Sequence, residues 1–332
     1  MYKTRCHCTS LNCLQRLSKK EQSKSFKMGS SYITIRSVLS VLSLIAYILT
    51  LILNGFATPN VRPGFLNDLY GNNLSTGDVS DKYSTEITPA GWAFSIWGVI
   101  YTWQMLWILY SLSLICRPHA PDVLNWLFHV LFICTCVFNS TWIIIWQRMK
   151  ITGASIVLFC IAFNLYGLLA LSYYRFNKLY DATCSKIDFY AIQALVHNGI
   201  AFYATWTTVA SLLNMTIAIT YVHDVANATA STVALVILTL EILVWFILEN
   251  TVLERFLRYT VSQYPVLIVA LSAIISKHWN SDKRNSIFSL VLLILVCVLF
   301  VIRILRVIYK IKTSRCQKTQ DFSFKEGQYG AM

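Results

Sequence analysis

Charge is what this sequence has least of. Asp, Glu, Lys and Arg make up 13% of its 332 residues, against 56% hydrophobic and 14% aromatic, and the mean hydropathy is +0.55. So little polar surface excludes a water-soluble globule and leaves an integral membrane protein. Metal-binding patterns are also missing. The six histidines, His7, His119, His129, His197, His223 and His278, are scattered, with no HxxxH or HxxHH box of the kind a membrane di-iron enzyme needs. No Gly-rich phosphate loop and no nucleophile elbow occurs, so the chain is expected not to be an enzyme. Its ten cysteines form no CxxC pair and several lie in apolar runs, which indicates neither a disulfide scaffold nor a zinc site. Cys6, Cys8 and Cys13 are candidates for acylation, or are unmodified tail thiols. No internal repeat is present.

Long apolar runs are abundant. Stretches of about 20 residues, enough to cross a bilayer, occur near 37–57, 91–115, 122–147, 152–174, 190–217, 231–250, 261–278 and 286–308. This predicts about eight transmembrane helices in an all-α protein. The run 261–278 is short and carries Pro265, so seven spans is the alternative. Charge arbitrates. With eight spans, 21 of the 28 basic residues fall on one side with both termini and 7 on the other, which places the termini in the cytoplasm. Seven spans would put the basic C-terminal tail outside. The sequons Asn73-Leu-Ser75 and Asn227-Ala-Thr229 fall in loops assigned to the outer side, although similar triplets at Asn139 and Asn214 lie inside or at the end of spans. The net charge of +13 collects at the two ends, where anionic lipid headgroups are the expected partner and nucleic acid is not. A secretory-pathway or plasma membrane is expected. A mitochondrial membrane is the alternative, because residues 1–36 are basic and hold Glu21 as their single acid.

Four segments follow: a basic N-terminal tail (1–36), a five-helix core (37–220), three further helices (221–310) and a basic tail (311–332) expected to be disordered. The loop 58–88 is the one long loop, and it reads as a folded or ligand-covering element.

Residues 87–107, ITPAGWAFSIWGVIYTWQMLW, hold four of the ten tryptophans. Placed on a helix at about 100° per residue, they separate into two opposite faces. Phe94, Trp97 and Tyr101 share one, and Trp92, Trp103, Trp107 and Tyr110 share the other. In the third run, Phe128, Phe132, Thr135, Asn139, Trp142 and Trp146 keep to one stripe. In the fifth, Tyr203, Trp206, Ala210 and Asn214 lie within about 80°. Trp92 and Trp146, near span ends, suit an interfacial belt. An amide in hydrocarbon needs a partner, so Asn139 and Asn214 read equally as ligand contacts or as glue between helices. Glu241, in the middle of the sixth run, is costly enough there to be a functional suspect. A protonated Glu bonded to a neighbouring helix is the bland reading, with His197 and Asn198 as candidate partners. Glu249 is expected to be solvated at the membrane edge.

These motifs resemble a known family. STGDVSDKY followed by ITPAGWAFSIWGVIY is similar to the TspO/translocator class, and most of all to its longer tryptophan-rich sensory proteins with added C-terminal helices. The fifth-helix pattern matches at Tyr203, Trp206, Ala210, Leu213 and Asn214, and Phe138-Asn139-Ser-Thr-Trp142 resembles the third-helix motif. The likeness covers 37 to about 220. Two features depart from the short family: its Phe-Gly-Pro-x-Trp is Phe94-Ser95-Ile96-Trp97 here, and the proline before the fifth-helix Tyr is Phe202. The sterol pattern after the fifth helix is missing, and Leu171-Ser-Tyr173-Tyr-Arg175 fits only its loose form, so cholesterol binding is not carried over.

The resemblance implies a five-helix bundle whose pocket, covered by the first loop, binds a tetrapyrrole such as protoporphyrin or haem, or another lipophilic small molecule. The expected ligand-binding residues are Trp97, Tyr101, Asn139, Trp142, Tyr203, Trp206 and Asn214, with the tryptophans stacking and the amides hydrogen-bonding. No cofactor is required. A sensory or carrier protein is expected; a secondary transporter with Glu241 as coupling residue is the alternative, and a seven-helix receptor a third. Ala204 and Thr208 have the small-xxx-small spacing of a helix contact, which is too common to argue a dimer.

Overall fold

The structure is a computed structural model that describes the backbone of residues 11–117, 120, 122–183 and 185–329, and side chains from 34 to 313 except 118, 119, 121 and 180–184. Cys6 and Cys8 lie outside the described residues, and the Cys13 side chain does too. Eight long helices form: α1 (Leu11–Phe56), α2 (Ile96–Ser113), α3 (Trp126–Gln147), α4 (Ile151–Thr183), α5 (Asn198–Tyr221), α6 (Asn227–Asn250), α7 (Gln263–His278) and α8 (Arg284–Tyr329). No strand is present among the described residues.

Seven of the helices are long and apolar enough to cross a membrane. α7 is not, since its 16 residues reach about 24 Å at 1.5 Å per residue. Its contacts nevertheless run from one end of the bundle to the other. Gln263 donates to Glu249, at the end of α6, at 2.7 Å, while the Ala273 carbonyl accepts from Ala90 N–H at 3.0 Å beside the first loop. α7 packs on α5 and α8, and Ser276 is its one exposed residue, so it has little lipid-facing surface to match to bilayer thickness. With eight helices running end to end, the membrane part of α1 begins and that of α8 finishes at the same end. A seven-helix receptor would separate them.

α5 is central: 83% of its most apolar stretch is buried, against 44% or less in the other spans. It packs on α2, α4, α6 and α7. Its entry is a π-helical turn, Ile192–His197, whose wider ring leaves backbone groups in need of partners. Asn198 donates to the Gln193 carbonyl of this turn at 2.8 Å and ties it to the stretch before α7, donating to the Tyr259 carbonyl at 2.8 Å and accepting from Val261 N–H at 3.0 Å. Gly199 lies against Trp103, where a Cβ would stand 2.7 Å from the indole Cδ1. Trp103 Nε1 donates to the Ala194 carbonyl at 3.0 Å, so the ring cannot retreat without losing that bond. Gly199→Ala is expected to cost about 1–3 kcal/mol of stability. Thermal unfolding in detergent checks this, and in a Trp103→Leu background the same change should cost little.

Three sequence expectations are corrected here. Glu249 is not solvated: it is 0% exposed. Its carboxylate accepts from Gln263 and from the Tyr264 hydroxyl, and Arg303 lies 3.7 Å away. Arg303, counted among the cytoplasmic tail charges, is 1% exposed and donates to the Glu249 and Leu257 carbonyls at 3.1 and 2.6 Å. The pair joins α6, α7 and α8, and distance along the chain hid it. Finally, the C-terminal segment read as disordered continues α8 to Tyr329, extending a helix already nucleated.

Candidate functional site

The side chains singled out in the second, third and fifth runs come together at the loop end of the core. Trp97 is the hub. It stacks on Tyr101 (centroids 5.6 Å apart) and on Trp142 (5.7 Å), and meets Tyr203 and Trp206 edge-on at 6.0 and 6.5 Å. Trp146 extends the stack from Trp142 at 6.1 Å. These offset and T-shaped arrangements suit the aromatic quadrupoles. Helical phasing put Trp97 and Tyr101 on one face of α2, and that face meets α3 and α5.

Asn139 is 0% exposed and saturated by protein. Asn54 of α1 donates to its oxygen at 2.7 Å, and its own NH2 donates to the Tyr203 hydroxyl at 2.9 Å. These bonds link α1, α3 and α5. Asn54 was missed, although an amide inside the first apolar run carries the same signal as Asn139.

Asn214 differs. Its NH2 donates to the Ala210 carbonyl at 3.1 Å, but its Oδ1 is buried without a partner, as are the indole N–H groups of Trp142 and Trp206. All three line one cavity of about 40 Å³, together with Trp97 and, from the first loop, Thr76, Ser80 and Thr88. Buried polar groups are nearly always satisfied, and here three unpartnered ones belong to residues around one void. Tyr101, Asn139 and Tyr203 do not line it.

The loop is folded, as expected, and forms the roof. Its helix Thr76–Lys82 starts in a capping box in which Ser75 and Asp78 each accept from the other's backbone. The Ser75 side chain and backbone N–H hold the Asp78 carboxyl below its usual range. Arg62 binds the Phe56 and Asn72 carbonyls at 2.7 and 2.6 Å, and Arg148 binds the Leu69 carbonyl at 2.9 Å.

A family model described as TSPO-like protein matches residues 40–305, well over half of the chain. The chain belongs to the TSPO-like protein family. Neither a curated protein nor a solved structure matches it. The TSPO-like match continues past residue 220 through α6 and α7 into α8, further than the motifs quoted from the sequence reach.

Those later helices touch the roof of this TSPO-like site. Lys277 pairs with Asp81, Asn285 donates to Glu86 at 2.6 Å, and Asn227 accepts from Glu86 N–H at 3.0 Å. The Asn227 sequon is thereby partly engaged, whereas Asn73 is exposed. Other tryptophans depart from expectation. Trp146 is 2% exposed, so it belongs to the stack and not to a belt. Trp107, on the face of α2 opposite Trp97, is buried against Phe128 and Phe132 of α3. Trp103 meets Phe202 of α5, and Trp92 remains exposed beside Ser276. Phasing divides a helix into faces without saying what each one meets.

Glu241 hydrogen-bonds neither proposed partner. His197 pairs with Ser172 and Gln193, and Asn198 is consumed by the π-turn and the stretch before α7. The Tyr and the Arg of the loose sterol pattern are also occupied, Tyr173 by Thr260 and Arg175 by Asp122. Ala204 and Thr208 face α4 within the chain, Thr208 through the Tyr166 hydroxyl, so this pair packs helices of one molecule.

Proposed function

We propose that this membrane protein binds a flat, lipophilic small molecule beneath the first loop, in a sensory or carrier role without turnover. A tetrapyrrole such as protoporphyrin or haem is the leading candidate. The observation that carries the reading is the set of three buried, unpartnered polar atoms, Trp142 Nε1, Trp206 Nε1 and Asn214 Oδ1, around one aromatic cavity. Two donors and an acceptor would fix the orientation of a ring system stacked on indoles. The cavity of about 40 Å³ is far below the roughly 300–1,000 Å³ of ligand pockets. Binding therefore requires the loop to lift and Trp97 to leave its stack, which makes the contacts of α7 and α8 with the loop a latch. The 21 to 7 division of basic residues supports cytoplasmic termini, in a secretory-pathway or plasma membrane.

Titrating the purified protein with porphyrins, haem and sterols, read by tryptophan emission, tests this. Saturable quenching by a tetrapyrrole is expected, with affinity lowered about tenfold or more by Trp206→Leu, which removes both a stacking surface and an N–H donor. No saturable quenching by any tetrapyrrole would sink the proposal.

A further inference from the structure

A second and larger cavity, about 540 Å³, lies away from the aromatic site, bounded by α4, α5, α6 and α7. Its volume falls within the range of small-molecule pockets. α4 and α6 both pack on α5, and the space between them is open on the outside of the bundle, where the rim residues Tyr174 and Val244 are 62% and 54% exposed. A molecule dissolved in the bilayer can enter there without passing the loop.

The lining is mostly apolar and aromatic; its Thr205 and Thr208 hydroxyls donate to the Ala201 and Ala204 carbonyls, each at 2.9 Å, and two acceptors stand apart from these. Glu241 is exposed toward this space and hydrogen-bonds no described residue. Gln263 is 5% exposed, and its Oε1 has no partner. The amide orientation of Gln263 is fixed chemically: its NH2 donates to the Glu249 carboxylate at 2.7 Å, and the flipped amide would set oxygen against oxygen. Oε1 is left as an acceptor without a donor. None of the lining residues is Lys, Arg or His. A carboxylate beside hydrocarbon is stabilised by a cation, and the lining residues supply none.

We propose that this cavity binds a lipophilic cationic amine, its ammonium group on Glu241 and its apolar body among Tyr166, Leu238, Trp245 and Leu267. Aromatic faces lining the space add cation–π attraction. The ligand class differs from that of the loop-covered site in charge, in route of entry and in the helices that hold it.

The test uses the full chain in nanodiscs, titrated with dansylcadaverine and with its uncharged N-acetyl derivative, after subtraction of empty nanodiscs. Saturable blue-shifted emission is expected for the amine, with the N-acetyl compound weaker by about tenfold or more. Glu241→Gln should weaken the amine by a similar factor without changing quenching by protoporphyrin. Leu238→Trp, which fills the space and leaves the carboxylate, should weaken both dansyl compounds. The proposal is overturned if the parent gives no saturable emission, if the two compounds bind equally, or if both variants bind the amine as the parent does.

Discussion

Arg303→Met is expected to destabilise the bundle by about 3–5 kcal/mol, the cost of stranding one partner of a buried pair. The guanidinium and the Glu249 carboxylate are 2% and 0% exposed as side chains, so neither can turn to water when the other is removed. The loss extends beyond charge. Arg303 also donates to the Asn250 side chain and to the Glu249 and Leu257 carbonyls, which close the break between α6 and α7. Glu249→Leu alone should cost a similar amount, because it leaves Arg303 unpaired and removes the acceptor of Gln263 and Tyr264. The double variant should cost clearly less than the sum, since desolvation of both charges disappears together. Thermal unfolding of the four proteins in one detergent gives the cycle. Additive losses would show that the two side chains act independently.

Trp97→Ala is expected to cost about 2–4 kcal/mol, somewhat below the range for removing a fully buried aromatic, because Trp97 is half-buried. Its indole touches Tyr101, Trp142, Tyr203 and Trp206, so no single neighbour can move in to fill the space. The void would adjoin the cavity beneath the loop and be walled by rings. A cavity enlarged in this way and walled by rings accepts small aromatic molecules. Indole added to the variant should therefore raise its thermal midpoint while leaving that of the parent unchanged. A midpoint for Trp97→Ala equal to the parent's would mean that the stack contributes nothing to the fold.

The periodicity of the sequence is local information, and it was sufficient for local questions. Spacings in the third and fifth runs placed Asn139, Trp142, Tyr203 and Trp206 on faces that do meet, because a helix has one phase and these residues share it. What a face meets is a different matter. Trp107 and Trp103 lie on one side of α2, yet one packs on α3 and the other on α5. Glu249 is one residue from the end of α6 and looks solvated in any window, since its partner Arg303 lies in a different helix. Cavities are harder still. The space beside Glu241 exists because α4 and α6 both lean on α5, and no single segment encodes that relation. α7 was the ambiguous run for a related reason: with almost no exposed residue, it needs neither the length nor the uniform apolar surface of a lipid-facing span.

The central claim is that the unpartnered indole N–H groups under the loop recognise a ligand. Trp206→Phe tests it most directly, because it keeps an aromatic ring and removes the N–H. Affinity for protoporphyrin, whose carboxylates can accept that hydrogen bond, is predicted to fall about tenfold, the worth of one buried bond near 1.4 kcal/mol. Affinity for a porphyrin bearing only alkyl groups is predicted to stay the same. Equal affinity of protoporphyrin for the parent and for Trp206→Phe would contradict the account.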